Sequence, residues 1–201
     1  MTTASAIGIE NNGVVVRTVP PSKLAHFVLR TSRYDAIIDW YTATLHARVV
    51  FRNEQLAFLT YDEEHHRLAV LNMPGLSEQL ENVAGVHHIA FTWDTLKDLL
   101  ENYERLSERG INPIYTINHG PTTSIYYRDP DGNQLEFQVE NFADAKAGRD
   151  YFHSEAFAEN PIGVEFDPDK MLAQLRMGKV EEVLTQRPDV GPRGIGDVKL
   201  R

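Results

Sequence analysis

The chain of 201 residues contains no cysteine. That excludes disulfides, thiolate nucleophiles and every zinc site built on cysteine. It has no apolar run approaching the ~20 residues that a membrane-spanning helix needs, so no membrane role is expected. Its first residues, MTTASAIGIENNG, lack the charged-then-apolar layout of a secretory signal, and a cytoplasmic protein is expected. Basic residues are in the minority: 20 Lys and Arg stand against 29 Asp and Glu, a net charge of −9. A nucleic-acid groove needs a basic stripe to neutralise phosphates, and no basic cluster breaks the acidic balance. What remains is a chain that is 42 % hydrophobic, long enough for one domain or two small modules sharing a core.

Its eight histidines stand out by placement. His46 falls at a helix end and His153 in the C-terminal part, both read as surface or packing residues. His26, His65, His66, His87, His88 and His119 sit in or beside strand-like runs. Those runs repeat. Residues 23–31 read as a strand, 33–45 as a helix, and three short strands follow near 47–52, 55–61 and 66–72. Pro74-Gly75 breaks the pattern. The order then starts again, with a strand at 84–93, a helix at 95–110 and strands near 113–118, 122–128 and 133–140. Strand–helix–three strands, twice, predicts an α+β protein in which each copy is one supersecondary unit and the pair buries a shared core. The expected organisation is an arm over 1–21, a two-module domain over 22–141 (modules 22–75 and 84–141), and a partly helical extension over 142–201.

Alternation assigns faces. Successive strand residues point to opposite sides. Phe27 and Leu29, and in the second copy Ile89, Phe91 and Trp93, fit a helix-covered face. His26 and Val28, and His88, Ala90 and Thr92, fall on the other. His87 is then read as a hydrogen-bonded structural histidine near the strand's start. In the last strand Leu135, Phe137 and Val139 share one face and Gln134, Glu136 and Gln138 the other. A carboxylate at the centre of such a strand is costly to bury unless charged partners or a metal neutralise it. Two histidines and one carboxylate from three strands match a facial triad that suits non-haem Fe(II). By periodicity alone a metal site and a solvated face bearing scattered polar residues both remain open.

The stretches AHFVLRT, EEHHRLAV, GVHHIAF and NHGPTTSIYYRDPDGNQLEF, in that order, resemble the vicinal oxygen chelate superfamily and, within it, the type I extradiol catechol dioxygenases. The resemblance covers about residues 22–141. It implies two βαβββ modules forming an incomplete barrel around one metal, Fe(II) with Mn(II) as second choice, held by His26, His88 and Glu136. It implies that His66 is the acid/base histidine, that Tyr126 bonds the substrate oxygen, and that His119 tunes the substrate or its surroundings. The implied substrates are a catechol-type aromatic and O2. Strict alternation back from Ala69 turns His65, not His66, toward the barrel; the family pattern selects His66. Aligning HRLAVL with NQLEFQ sets Ala69 opposite Glu136, where a four-ligand, glyoxalase-type site carries its extra ligand. A non-redox lyase or isomerase of the same superfamily, and a small-molecule binding protein on this fold, are the alternatives. Tyr127, on the opposite face from Tyr126, is expected to pack.

Residues 1–20 are expected to form a loose arm or an added edge strand. In the extension, FADAKAGRDYFHSEAFAEN suggests one helix, and Asp169–Met177 and Lys179–Leu184 two shorter ones. Tyr151, Phe152, Phe157 and Phe166 need burial: over the barrel mouth, against a second subunit, or on the chain's own sheet. A homo-oligomer is expected.

Overall fold

A computed structural model describes residues 7–11, 14–80 and 83–197. The repeat folds as one unit per copy. The first comprises β3 (Phe27–Thr31), α1 (Tyr34–Leu45), β4 (Arg48–Arg52), β5 (Leu56–Thr60) and β6 (Leu68–Asn72). The second comprises β7 (Ile89–Thr92), α2 (Leu96–Ser107), β8 (Tyr115–Asn118), β9 (Thr122–Arg128) and β10 (Gln134–Glu140). Each makes an open sheet of the same order: β3-β6-β5-β4 and β7-β10-β9-β8. In both, the first strand runs parallel to the last and the remaining pairs are antiparallel. The register is also shared. Val28 lies opposite Ala69, as Ala90 lies opposite Glu136.

The helices form because their apolar residues recur every three or four positions. α1 turns Ile37, Ile38, Tyr41 and Leu45 inward, and α2 turns Leu96, Leu99, Leu100, Tyr103 and Leu106 inward. Thr95 caps α2 by accepting from the Asp98 N–H at 3.0 Å. One core serves both modules: Leu59 and Val70 of the first sheet join Ile125 and Phe137 of the second, all at 0 % exposure. Truncating such a leucine to alanine costs about 2–5 kcal/mol. Phe27 and Phe91 meet across the seam with ring centroids 6.0 Å apart. The Tyr41 hydroxyl donates across it to the buried Asp129 at 3.2 Å, beside the Asp131-Gly132 turn. Tyr127 is 1 % exposed and packs on Phe137, as its face requires.

Three expectations are corrected. β1 (Ile7–Asn11) and β2 (Val14–Thr18) pair antiparallel with each other, instead of adding an edge strand to either sheet; residues 1–6 and 12–13 lie outside the described residues. The strands of His26 and His88 begin one residue after them. In the first copy the cause is visible: the Arg67 guanidinium occupies the Leu24 and Ala25 carbonyls at 2.7 and 3.1 Å, so a side chain replaces the ladder. The single helix expected after residue 142 is two, α3 (Ala145–Tyr151) and α4 (Glu155–Glu159). Ser154 interrupts it, capping the second by accepting from the Phe157 N–H at 3.1 Å.

The extension also adds a strand that alternation did not reveal. β11 (Val164–Glu165) pairs antiparallel with β8 and makes the second sheet five-stranded. α5 (Pro168–Arg176) then lies along α2, with the Tyr103 hydroxyl donating to Asp169 at 2.9 Å and Arg176 holding Glu104 through two 2.7 Å bonds. Glu181, opening α6 (Glu181–Leu184), accepts from the first N–H groups of α2, Leu96 and Lys97. Phe166 joins the shared core, Tyr151 clusters with Phe142 and Phe157, and Phe152 stays half exposed.

Candidate active site

On the open face of the second sheet, β10 presents Glu136 between Ala90 of β7 and Tyr126 of β9, all in register. Ala90 is small, so nothing from β7 covers the carboxylate at that position. Glu136 is nevertheless only 6 % exposed, because His88, Tyr126, His119 and Ser124 gather around it. His88 Nε2 lies 3.0 Å from one carboxylate oxygen and His119 Nε2 3.8 Å from the other. Burial alone would raise the Glu136 pKa. Bonds from His88, Ser124 and Tyr126, with the charge of His119, outweigh it and hold the group below the ordinary value. Tyr126 goes the other way: burial, reinforced by the neighbouring Glu136 charge, keeps its phenol protonated far beyond neutrality. His119 Nε2 lies 3.1 Å from the Tyr126 hydroxyl, and its Nδ1 sits on the Ile162 carbonyl. Burial lowers the pKa of His119, against the opposing pull of that carbonyl and of Glu136.

The first sheet carries the other two sequence-selected residues. His26 is exposed and stacks on His66 at 4.3 Å between ring centroids. His66 also rests on Phe58 at 4.7 Å, on the face that holds Val28 and Ala69. His65 is exposed, touching His66 through its Nδ1 at 2.6 Å. Alternation from Ala69 fails here for a local reason. β6 begins only at Leu68, and the chain before it bends around Asp62, which accepts from the Glu64 N–H and pairs with Arg67. Burial, then the neighbouring imidazoles of His26 and His65, lower the His66 pKa. His87 is exposed and lies 2.8 Å from His88 through its Nδ1.

The structure thus brings His88, Glu136, Tyr126 and His119 into one cluster and His26 and His66 into another. Among the described residues, no group of three or more His, Asp or Glu side chains forms a closed metal-holding set. The donor chemistry nonetheless fits a divalent metal: a buried carboxylate faced by an imidazole nitrogen, the donor types of a 2-His-1-carboxylate set. Three neighbours escaped the sequence reading. Ser124 shares the phase of Thr122 and Tyr126 in TTSIYY, a signal that would have found it. Phe58 reads as one more core aromatic. The Ile162 carbonyl, 43 residues from His119, leaves no mark in side-chain patterning.

Residues 23–137 match the family model described as Glyoxalase/Bleomycin resistance protein/Dioxygenase superfamily. Two curated relatives come from Rhodococcus globerulus. Biphenyl-2,3-diol 1,2-dioxygenase 2 is 49 % identical over 73 % of this chain and 77 % of its own length. Biphenyl-2,3-diol 1,2-dioxygenase 3 is 45 % identical over 85 % of this chain and 90 % of its own length. A glyoxylase/bleomycin resistance protein/dioxygenase domain from Frankia sp. EAN1pec, 22 % identical, superposes with a TM-score of 0.51 over 62 % of this chain and 96 % of that one, and shares the fold. No helix among the described residues is long and apolar enough to cross a membrane. The chain belongs to the glyoxalase/bleomycin resistance protein/dioxygenase superfamily and, within it, to the extradiol ring-cleaving dioxygenases.

Proposed function

We propose that the protein opens a catechol-type aromatic beside its diol with O2, at Fe(II) held by His26, His88 and Glu136, with Mn(II) as the second candidate. The observation that carries this reading is the buried Glu136 carboxylate against His88, at a register position whose first-module counterpart is Ala69. One carboxylate and no fourth protein ligand leaves coordination positions for both oxygens of a diol and for O2, which disfavours a four-ligand isomerase site. The metal would supply the redox centre and lower the pKa of the coordinated hydroxyl. The remaining work falls to side chains. His66, held neutral by burial and by its imidazole neighbours, is free to accept a proton and return it during ring opening. Tyr126 hydrogen-bonds the substrate oxygen. His119 orients Tyr126. The relatives' names favour an aryl-substituted catechol such as biphenyl-2,3-diol as substrate.

The test is metal analysis joined to labelled-oxygen turnover. Iron in the purified chain and both labelled atoms in a yellow ring-opened product are expected. Zinc or nickel without oxygen uptake would point to a lyase, and no metal with ligand binding alone to a binding protein.

A further inference from the structure

The C-terminal extension reaches His119 through residues 160–163. Residues 160–163 form a loop closed on Asn160, which is 3 % exposed. Its side-chain oxygen accepts from the N–H groups of Ile162 and Gly163 at 3.1 and 2.7 Å, and its amide donates to the Gly163 carbonyl at 3.2 Å. Arg187 donates to the Asn160 carbonyl, and Arg193 donates to the Gly163 carbonyl at 2.7 Å. β11 then continues from this loop along β8, with Val164 opposite Asn118. Gly163 adopts φ +118°, and a Cβ there would fall 2.3 Å from the Asn118 carbonyl oxygen and 2.8 Å from His119 Cα. Only glycine permits so close an approach. The loop so held sets the Ile162 carbonyl on His119 Nδ1.

A carbonyl can only accept, so Nδ1 carries the proton and a neutral His119 keeps its lone pair on Nε2. That nitrogen lies 3.1 Å from the Tyr126 hydroxyl. We infer that the loop at residues 160–163 is a positioning device for the oxygenase site: it fixes the tautomer and ring orientation of His119, and through it the direction of the Tyr126 hydroxyl. A phenol has one proton to give. Glu136 and His119 Nε2 both lie within its reach; donated to His119, it leaves a Tyr126 oxygen lone pair turned toward the open face, to accept from a substrate hydroxyl. Without the loop the imidazole is free to rotate or exchange tautomers, and the Tyr126 proton is left to Glu136, which already lies within its reach. Asn160 and Gly163 are positioning residues in this scheme. The inference rests on the proposed roles of His119 and Tyr126.

The experiment uses the full chain labelled with 15N-histidine, without added metal, under conditions where His119 is neutral. Two-bond proton–nitrogen correlations should show His119 as the pure Nδ1–H tautomer. Gly163→Ala, which displaces the loop, should yield a mixture of tautomers. In the iron-loaded enzyme it should lower kcat about 10- to 100-fold with little change in KM, the scale of a misplaced catalytic group. Asn160→Ser, which loosens the loop without steric overlap, should act in the same direction if Gly163→Ala does not fold. In a His119→Phe background, Gly163→Ala should cost nothing further. An Nε2–H tautomer in the wild-type protein overturns the inference outright. So does a folded loop variant with unchanged tautomer and kcat, or an undiminished loss in the His119→Phe background. Because the tautomer is read without turnover, it stands or falls separately from the oxygenase assignment.

Discussion

The two modules share strand order, register and helix placement, yet their open faces carry different chemistry. At one equivalent position the first module has Ala69 and the second Glu136. Beside it the first has Phe58, in register with Ala69, and the second has Tyr126, in register with Glu136. The outer edges diverge as well. β4 is exposed along its whole length, whereas its counterpart β8 is covered by β11. A repeated fold supplies two equivalent frames. Polar side chains cluster in one frame, the second, and there the extension packs against them. The other frame contributes an aromatic floor and two imidazoles.

The largest effect should come from removing the carboxylate that distinguishes the modules. Glu136→Ala is expected to strip metal and reduce oxygen uptake to background, read by metal analysis and an oxygen electrode. Its mirror, Ala69→Glu, makes the modules alike; it should keep the metal but lose most oxygen uptake, because a fourth ligand takes a position the substrate needs.

Next in size is the histidine pair. His66→Phe should retain iron and bind catechol while turnover drops ~10²–10⁴-fold, the worth of general acid–base catalysis. His65→Phe should change turnover little. The reverse ranking would restore strict strand alternation at a place where the chain bends.

A smaller contrast lies between adjacent tyrosines on opposite faces. Tyr126→Phe should lower turnover about 10-fold, roughly one hydrogen bond, and should also lower the denaturant midpoint, because it takes a buried partner from Glu136 and His119 at a cost of about 1–3 kcal/mol. Tyr127 has a buried hydroxyl without a hydrogen-bond partner among the described residues. Tyr127→Phe should therefore leave activity intact and be neutral or stabilising by up to about 1 kcal/mol.

The smallest effect tests the brace itself. Arg193 holds the Glu165 carboxyl down to about 2 from the free value of 4.5. A depressed carboxyl stabilises the folded state above the free pKa and loses that contribution as pH falls toward the folded one. Exchange protection of the β11–β8 pair should accordingly fade between pH 4.5 and 2. Glu165→Gln should remove that dependence.

Much of this was present in the sequence. Period-two alternation is local, so it assigned Phe27, Leu29, Phe91 and Phe137 to the helix side and Val28, Ala90 and Glu136 to the open side, as the structure has them. The repeat fixed the equivalence of Ala69 and Glu136, because two copies of one unit keep one register. The tertiary structure alone decided the rest. Which of His65 and His66 lies on His26 depends on a bend around Asp62, and parity does not survive a bend. That two sheets share one core through Phe27 and Phe91 is a matter of long-range packing. The partner of His119 is a backbone carbonyl, delivered by a loop whose glycine is required by its positive φ and by the strand that passes within contact of it. Every residue carries a carbonyl, so no sequence pattern can single out the one that matters.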